Sequence, residues 1–265
     1  MVANGALRES RNILKRSSSP GEIRSEKGRM MEAAQSASVP RRRTPAKDVI
    51  HNLNGQRLGR KGRDTRDRII EVAQEIIAEY DEAQITISEV ARRTNLRMAS
   101  LYVYFADLTE LGLAVLEPVM AESETSYLAL LRTHWPDAEL GARCEQFVQG
   151  FYHFWQRHSG ILHLRNTMAD RKDSRMTEHR INAARPVIAL IVRQMGHDPA
   201  DTGSPAVGMA TVLYMGFERA VNIATDKHFG DAMGERFAPN ATHYMNAEAR
   251  LLELAIKDYR ANSGN

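Results

Sequence analysis

The stretch 86–105, TISEVARRTNLRMASLYVYF, constrains the fold more tightly than any other part of the chain. Thr86 is followed three residues later by Glu89. This is the spacing of a capping box, in which a hydroxyl and a carboxylate each satisfy an amide left unpaired at a helix start. A helix over 87–94 follows, with Ile87, Val90 and Ala91 on its inner face. Asn95 tolerates the left-handed backbone of a tight turn, and only Leu96 and Arg97 separate it from a second short segment over 98–104. Leu101 in that segment and Phe105 just after it lie four residues apart and share the inner face. A helix of under two turns is marginal alone, so these two anchors have to hold it. Helix, three-residue turn, helix is the geometry of a helix-turn-helix.

The flanking sequence supplies the supporting helices. Ile69, Ala73, Ile76 and Tyr80, with Ile70, Val72 and Ile77, recur at helical spacing over 65–80. Asp107 with Glu110 repeats the capping-box spacing and opens a helix that can run through Leu111, Val115 and Met120 to about residue 133. Met98, Ala99, Ser100, Tyr102, Val103 and Tyr104 are left for the remaining surface of the short segment. Tyr102 and Tyr104 present hydroxyls on rigid rings, which can donate to phosphate oxygens. Periodicity leaves the other outcome open, that both rings pack under neighbouring helices.

Charge is distributed unevenly. Residues 1–63 hold 15 Lys/Arg and 5 Asp/Glu, and the remainder holds 21 and 28. The basic part contains KRSSSP, VPRRRTP and RLGRKGR with few aromatics, a composition that cannot bury enough apolar surface to offset the entropy of ordering. It is expected to be a disordered basic arm, of the kind that binds nucleic acid by neutralising phosphates and releasing counterions. A solubilising leader, or a natural start at Met30 or Met31, is the alternative. Residues 64–116 carry 5 basic and 10 acidic residues, an awkward balance for contact with DNA. Glu71, Glu75 and Glu79 can face solvent, Arg92, Arg93 and Arg97 are the cations nearest the second short helix, and the arm ending at Arg63 can supply what the domain lacks. Removing residues 1–63 is then expected to weaken binding to all sequences and to flatten its salt dependence.

A single cysteine, Cys144, cannot form an intrachain disulfide, which fits a reducing cytoplasm. The apolar run PVIALIV at 186–192 is far shorter than the roughly 20 residues of a membrane helix. Arg8, Arg11, Lys15 and Arg16 stand where a signal peptide needs an apolar core. A cytosolic protein with no membrane partner is expected.

Residues 117–265 show helical periodicity and almost no strand alternation, apart from DKHFGDAMGERFAPN before the last helix, which has Gly and Pro without periodicity and reads as a loop. Helices are expected from Pro136-Asp137 to near His158 with Gly160 as a stop, over 161–170, over 174–195 closed by Gly196, from Ser204-Pro205 to about 225, and over 240–261. Met209, Leu213, Gly216 and Ala220 line one face of the penultimate helix, and Leu251, Leu252, Ala255 and Tyr259 form a stripe on the last. Phe147, Phe151, Tyr152, Phe154 and Trp155 make one helix too aromatic for a single stripe. Phe147, Phe151, Tyr152 and Trp155, with Met168, Met176 and Tyr214, are candidates for an adaptable small-molecule pocket, and ordinary core packing is the alternative for each. His153, His158 and His163 recur every five residues, where ligands on one helix face want three or four, so no metal site is expected. Arg165, Asp170, Arg171, Lys172 and Asp173 read as a solvated charged segment. No GxSxG, phosphate loop, His-Glu-x-x-His or paired-carboxylate motif occurs, so neither an enzyme nor a cofactor is expected.

Together, Ser100-Leu101-Tyr102-x-Tyr104-Phe105, the preceding Thr86-Ile87-x-x-Val90-Ala91 and the following Leu111 resemble the N-terminal DNA-binding domain of the tetracycline-repressor (TetR) family of bacterial regulators. The resemblance covers about 50 residues. It implies an all-α chain of three parts: a basic arm at 1–63, a three-helix domain with helix-turn-helix at 64–112, and a helical effector-binding and dimerisation domain at 113–265. It implies a homodimer that enters successive major grooves of a near-palindromic double-stranded operator in the bacterial nucleoid. Thr86, Tyr102 and Tyr104 match phosphate-contacting positions of that family, and Met98, Ala99 and Val103 match positions near base edges. Asp81 and Asn95 replace glycines, and Arg97 replaces a serine, losing a cap worth about 1 kcal/mol but adding a cation for phosphate. Ser100 lies within the same matched motif. Leu108 stands where a phosphate-contacting lysine is frequent, which removes one expected contact. The implied function is a dimeric transcriptional regulator, most often a repressor, modulated by a small molecule. An effector-independent or architectural DNA-binding protein driven by its basic arm is the alternative.

Overall fold

The structure, a computed structural model, describes residues 51–79, 85–227, 229 and 240–262. Residues 1–50 of the expected arm, Asp81, and most of the loop before the last helix lie outside the described residues. The described chain is helical, with one isolated antiparallel bridge between His51 and Arg57, and the expected all-α class holds.

Helix α1 spans Arg60–Glu79 and buries Ile69, Val72, Ala73, Ile76 and Ile77. It starts five residues before the expected 65, so Arg60, Lys61 and Arg63 belong to its first turn rather than to an unstructured arm. Apolar periodicity gave no sign of this turn. Arg and Lys are good helix formers, and extending a nucleated helix costs little.

Helices α2 (Ile87–Thr94) and α3 (Met98–Leu101) follow. The Thr86 hydroxyl accepts from the Glu89 amide at 3.2 Å, and Asn95 ends α2 at φ 56°, so both turn signals act as expected. Arg97 makes no side-chain cap on α3. Helix α3 is shorter than the expected 98–104: after Leu101 the chain tightens into a turn in which the amides of Tyr104 and Phe105 both donate to the Leu101 carbonyl. Leu101, Phe105 and Leu111 are fully buried, which makes them the anchors the short helix requires.

Helix α4 (Leu108–Ser123) is capped by Asp107, which accepts from the Glu110 amide at 2.9 Å. It continues through a π-helical turn, Glu124–Leu128, into α5 (Ala129–Arg132), close to the single helix expected to about 133. A 3-10 turn leads into α6 (Leu140–Arg157), then α7 (Ser159–Asp170), α8 (Ser174–Gln194), α9 (Pro205–Thr225) and α10 (Ala241–Asn262). Ser204 caps α9 through the Val207 amide, and Gly196 after α8 takes φ 82°.

Helix α6 packs against α9, α10 and the π-helical turn. Its Phe147, Phe151 and Phe154 surround Tyr127 of that turn, with Tyr127 edge-on to Phe151 at 4.9 Å and to Phe154 at 5.1 Å. Gly160 is not a helix stop. It is the second residue of α7, and a Cβ there would lie 2.8 Å from the Ile77 carbonyl oxygen, so the close approach of α7 to α1 needs glycine.

Candidate nucleic-acid interface

The α2–turn–α3 unit presents Arg97, Met98, Ala99, Ser100 and Tyr102 to solvent around the buried Leu101. Thr86 is also exposed, its hydroxyl engaged with the Glu89 amide and the Ser88 hydroxyl. Tyr102 is 46% exposed and Met98 38%. Tyr104 and Val103 differ from these: both are half-buried, and Tyr104 packs against the core. The two tyrosines therefore divide between the two outcomes that periodicity left open. Leu108 also packs against the core, so an apolar residue there is accounted for by packing.

Electrostatics around this surface differ from the sequence reading. Arg92 and Arg93 are not free cations. Both donate to the Glu89 carboxylate, Arg93 also to Glu79 at 2.7 Å, and the two guanidinium groups hold the Glu89 pKa down at about 2. Arg66 lies over the Phe105 ring at 5.1 Å, and its pKa is lowered by burial. Glu71 and Glu75 are exposed as expected.

Immediately after the turn that follows α3, α4 and α8 exchange caps. Arg175 of α8 donates to Asp107, the cap of α4, at 2.7 Å, and Asp173, the cap of α8, accepts from the Thr109 hydroxyl of α4 at 2.6 Å. The hydrogen bond from Arg175 holds the Asp107 carboxyl below its usual range. Asp173 is thus a structural cap and not part of a solvated charged segment.

Arg165 is a stronger exception to that expectation. It is 2% exposed and donates to Glu218 of α9 at 2.9 Å and to Asn166 at 3.0 Å, with its guanidinium over the Trp155 ring. Arg180 of α8 approaches the same carboxylate at 2.8 Å and reaches Asp170 at 3.1 Å. Three helices are tied together by one buried acid whose partners lie 53 and 38 residues away. Local sequence carries no signal for a pairing of that separation.

The candidate pocket residues are mostly interior. Phe147, Phe151, Trp155 and Met176 are buried, Tyr214 is nearly so, and Tyr152 and Met168 are half-buried against the core. Phe147 stacks on Phe217 at 5.5 Å, and Phe151 lies 5.0 Å from the same ring. Phe147 and Tyr214 also border a void of about 10 Å³ with Ile191, Leu213, Phe217, Glu248 and Leu252. That volume is about one water molecule. The Met176 methyl lies against Gly112 of α4, 2.8 Å from where a Cβ would stand, so Met176 packs at the α4–α8 junction.

His158 meets Glu122 at 3.1 Å, and His163 meets Thr225 at 3.1 Å and Asn222 at 3.2 Å, which accounts for two of the three evenly spaced histidines. Among the described residues no group of three or more His, Cys, Asp or Glu could hold a metal ion, and no helix is long and apolar enough to cross a membrane.

Comparison with solved structures finds a transcriptional regulator (TerR/AcrR family) from Aquifex aeolicus VF5, 15% identical over 76% of this chain and 98% of that one, with a TM-score of 0.42. It also finds Salmonella enterica GusR, 16% identical over 76% of this chain and 98% of that one, with a TM-score of 0.46. No protein-family model and no curated protein matches the sequence. The functional reading therefore rests on this chain's own residues.

Proposed function

We propose that this chain is a TetR-like, sequence-specific DNA-binding transcriptional regulator that acts as a homodimer. The observation that carries the reading is the α2–turn–α3 unit, with Arg97, Met98, Ala99, Ser100 and Tyr102 exposed over Leu101 and Phe105. In this role Met98 and Ala99 meet base edges in the major groove, and Arg97, Ser100 and Tyr102 meet phosphates, with Thr86 at the edge of the same surface. Val103 and Tyr104 are proposed in secondary positions, since both are half-buried.

Dimerisation is supported by the outer faces of α9 and α10. Met209, Val212, Met215, Tyr244, Leu251 and Leu254 are large apolar residues left exposed. Met215 and Val212 are 63% and 65% exposed, and Gly208 on the same helix has open space where a Cβ would stand, so a second copy can approach there. Of the expected stripe on this helix, Met209 and Gly216 are exposed, whereas Leu213 and Ala220 are half-buried against the chain's own core.

For effector control, the cap exchange between α4 and α8 is the supporting feature. Any shift of α8 in the C-terminal region displaces Asp107 and Thr109, and with them the start of the helix that follows the recognition turn. A coupling of about 1–3 kcal/mol would change DNA affinity roughly 5- to 150-fold. The second reading, a DNA-binding protein that needs no effector, draws on the exposed cations Arg57, Arg60, Lys61 and Arg63 ahead of the helix-turn-helix. Selecting bound duplexes from random DNA and repeating the selection with small-molecule mixtures separates the two. A regulator of the first kind enriches one near-palindromic site and loses it with some ligand, while the second kind enriches the same site under all conditions.

A further inference from the structure

The recognition unit is larger than a helix-turn-helix. Before α1 the chain folds back on itself: His51 pairs with Arg57, and the Asn52 carboxamide oxygen accepts from the amides of Asn54 and Gln56 at 3.0 and 2.9 Å. Gly55, at φ 72°, turns the chain. The tip is fastened to the recognition turn, where the Leu53 amide donates to the Val103 carbonyl at 3.1 Å. Leu58, nearly buried beside Gly62, ties the base of this loop to α1. The loop is therefore held at both ends, against the same turn that carries Tyr102.

Its charge is complementary to a polyanion. Residues 51–63 contain Arg57, Arg60, Lys61 and Arg63 and no acid, and all four cations are exposed. Among the described residues none of the four is in an ion pair, whereas Arg92 and Arg93 are tied to acids and Arg66 lies on Phe105. The helix-turn-helix itself offers Arg97, and four further exposed cations are thus concentrated on a structured element docked to it. We infer that residues 51–63 form a second DNA-contacting element, in which Arg57, Arg60, Lys61 and Arg63 meet the phosphates flanking each half-site and Asn52 is a positioning residue for the loop. This rests on the DNA-binding reading above and makes the interface composite: α3 reads bases, and the loop and the first turn of α1 fix the register on the adjacent backbone.

The test compares three full-length proteins on a duplex recovered by selection from random DNA: the unaltered chain, the quadruple variant Arg57→Ala/Arg60→Ala/Lys61→Ala/Arg63→Ala, and Asn52→Ala. Each is titrated from 50 to 200 mM salt and footprinted with hydroxyl radicals. If each cation neutralises one phosphate, the quadruple variant lowers the slope of log K against log salt by roughly 3–4. Its affinity then falls roughly 100-fold less across that salt range. Protection at the outer flank of each half-site is lost while the central protection remains. Asn52→Ala loses flank protection with all four cations still present, an outcome that charge alone does not produce. A chain that selects a site but shows the same slope and footprint in the quadruple variant, or binds more tightly without the cations, overturns this inference and leaves the DNA-binding reading standing. A chain that selects no site overturns both.

Discussion

Replacing Glu218 with Gln removes a charge and almost nothing else, and the structure makes it one of the most costly conservative changes in the chain. The Glu218 side chain is 6% exposed and neutralises Arg165, whose side chain is 3% exposed. Breaking a buried pair by removing one partner costs about 3–5 kcal/mol, because the remaining charge is left without compensation. Two features set the loss toward the lower end, about 3 kcal/mol: Arg165 keeps Asn166 and the Trp155 ring, and Arg180 keeps Asp170 and is partly in water. In a chain of this size that corresponds to a Tm decrease of roughly 6–12 °C. Urea unfolding at fixed protein concentration measures it, because dimerisation would make Tm depend on concentration. The double variant Arg165→Met/Glu218→Leu replaces the buried pair by apolar groups and is expected to recover at least about 2 kcal/mol of the loss. A loss under about 1 kcal/mol in Glu218→Gln, or a double variant no more stable than the single one, refutes the idea that this acid holds α7 and α9 together by neutralising the buried Arg165.

Four further outcomes follow from the same structure. Met215→Glu with Leu251→Glu places charge on the exposed apolar faces of α9 and α10 and is expected to give a monomer by light scattering with little change in helical circular dichroism; an unaltered dimer assigns the interface elsewhere. Tyr102→Phe removes one hydroxyl from an exposed ring and is expected to weaken binding to the selected duplex by about 1.5–3 kcal/mol at unchanged Tm, whereas Phe105→Ala empties a buried site and costs about 3–5 kcal/mol of stability. Burial, with Arg165 nearby, holds the His179 pKa down at about 4, and its Nδ1 has no hydrogen-bond partner. Because the folded value lies below the unfolded 6.5, His179 costs nothing above that pH and its stability contribution is lost as pH falls from about 6.5 to about 4. His179→Leu should flatten the stability profile in that window, as read by thermal melts, and an unchanged profile would show that His179 is not the group titrating there.

The helix boundaries were legible where a local signal sets them. Thr86, Asp107 and Ser204 each cap the helix their spacing predicts, and Asn95 takes the left-handed conformation its side chain permits. Leu101 and Phe105 were legible as anchors because they are apolar, four residues apart, and in phase with the inward residues of the two preceding helices. The loop at 51–57 was missed, although Asn54-Gly55 is a hairpin signal, because the surrounding polybasic composition suggested disorder. Arg165 was misread from its charged neighbours, since its partner is on another helix. Whether Tyr104, or the aromatics of α6, line a surface or fill a core depends on what lies opposite them. The stacking of Phe147 on Phe217 joins residues 70 positions apart, and periodicity within one helix cannot reveal it.

The central claim is tested most directly by the ratio of affinities of the full-length protein for its selected duplex and for a scrambled duplex of the same composition, measured across a salt series. The account predicts a ratio of roughly 10³ or more near physiological salt, reduced sharply by Met98→Glu with the fold intact. A ratio near one at every salt concentration, or a ratio unaffected by changes at Met98, Ala99 and Tyr102, would contradict it.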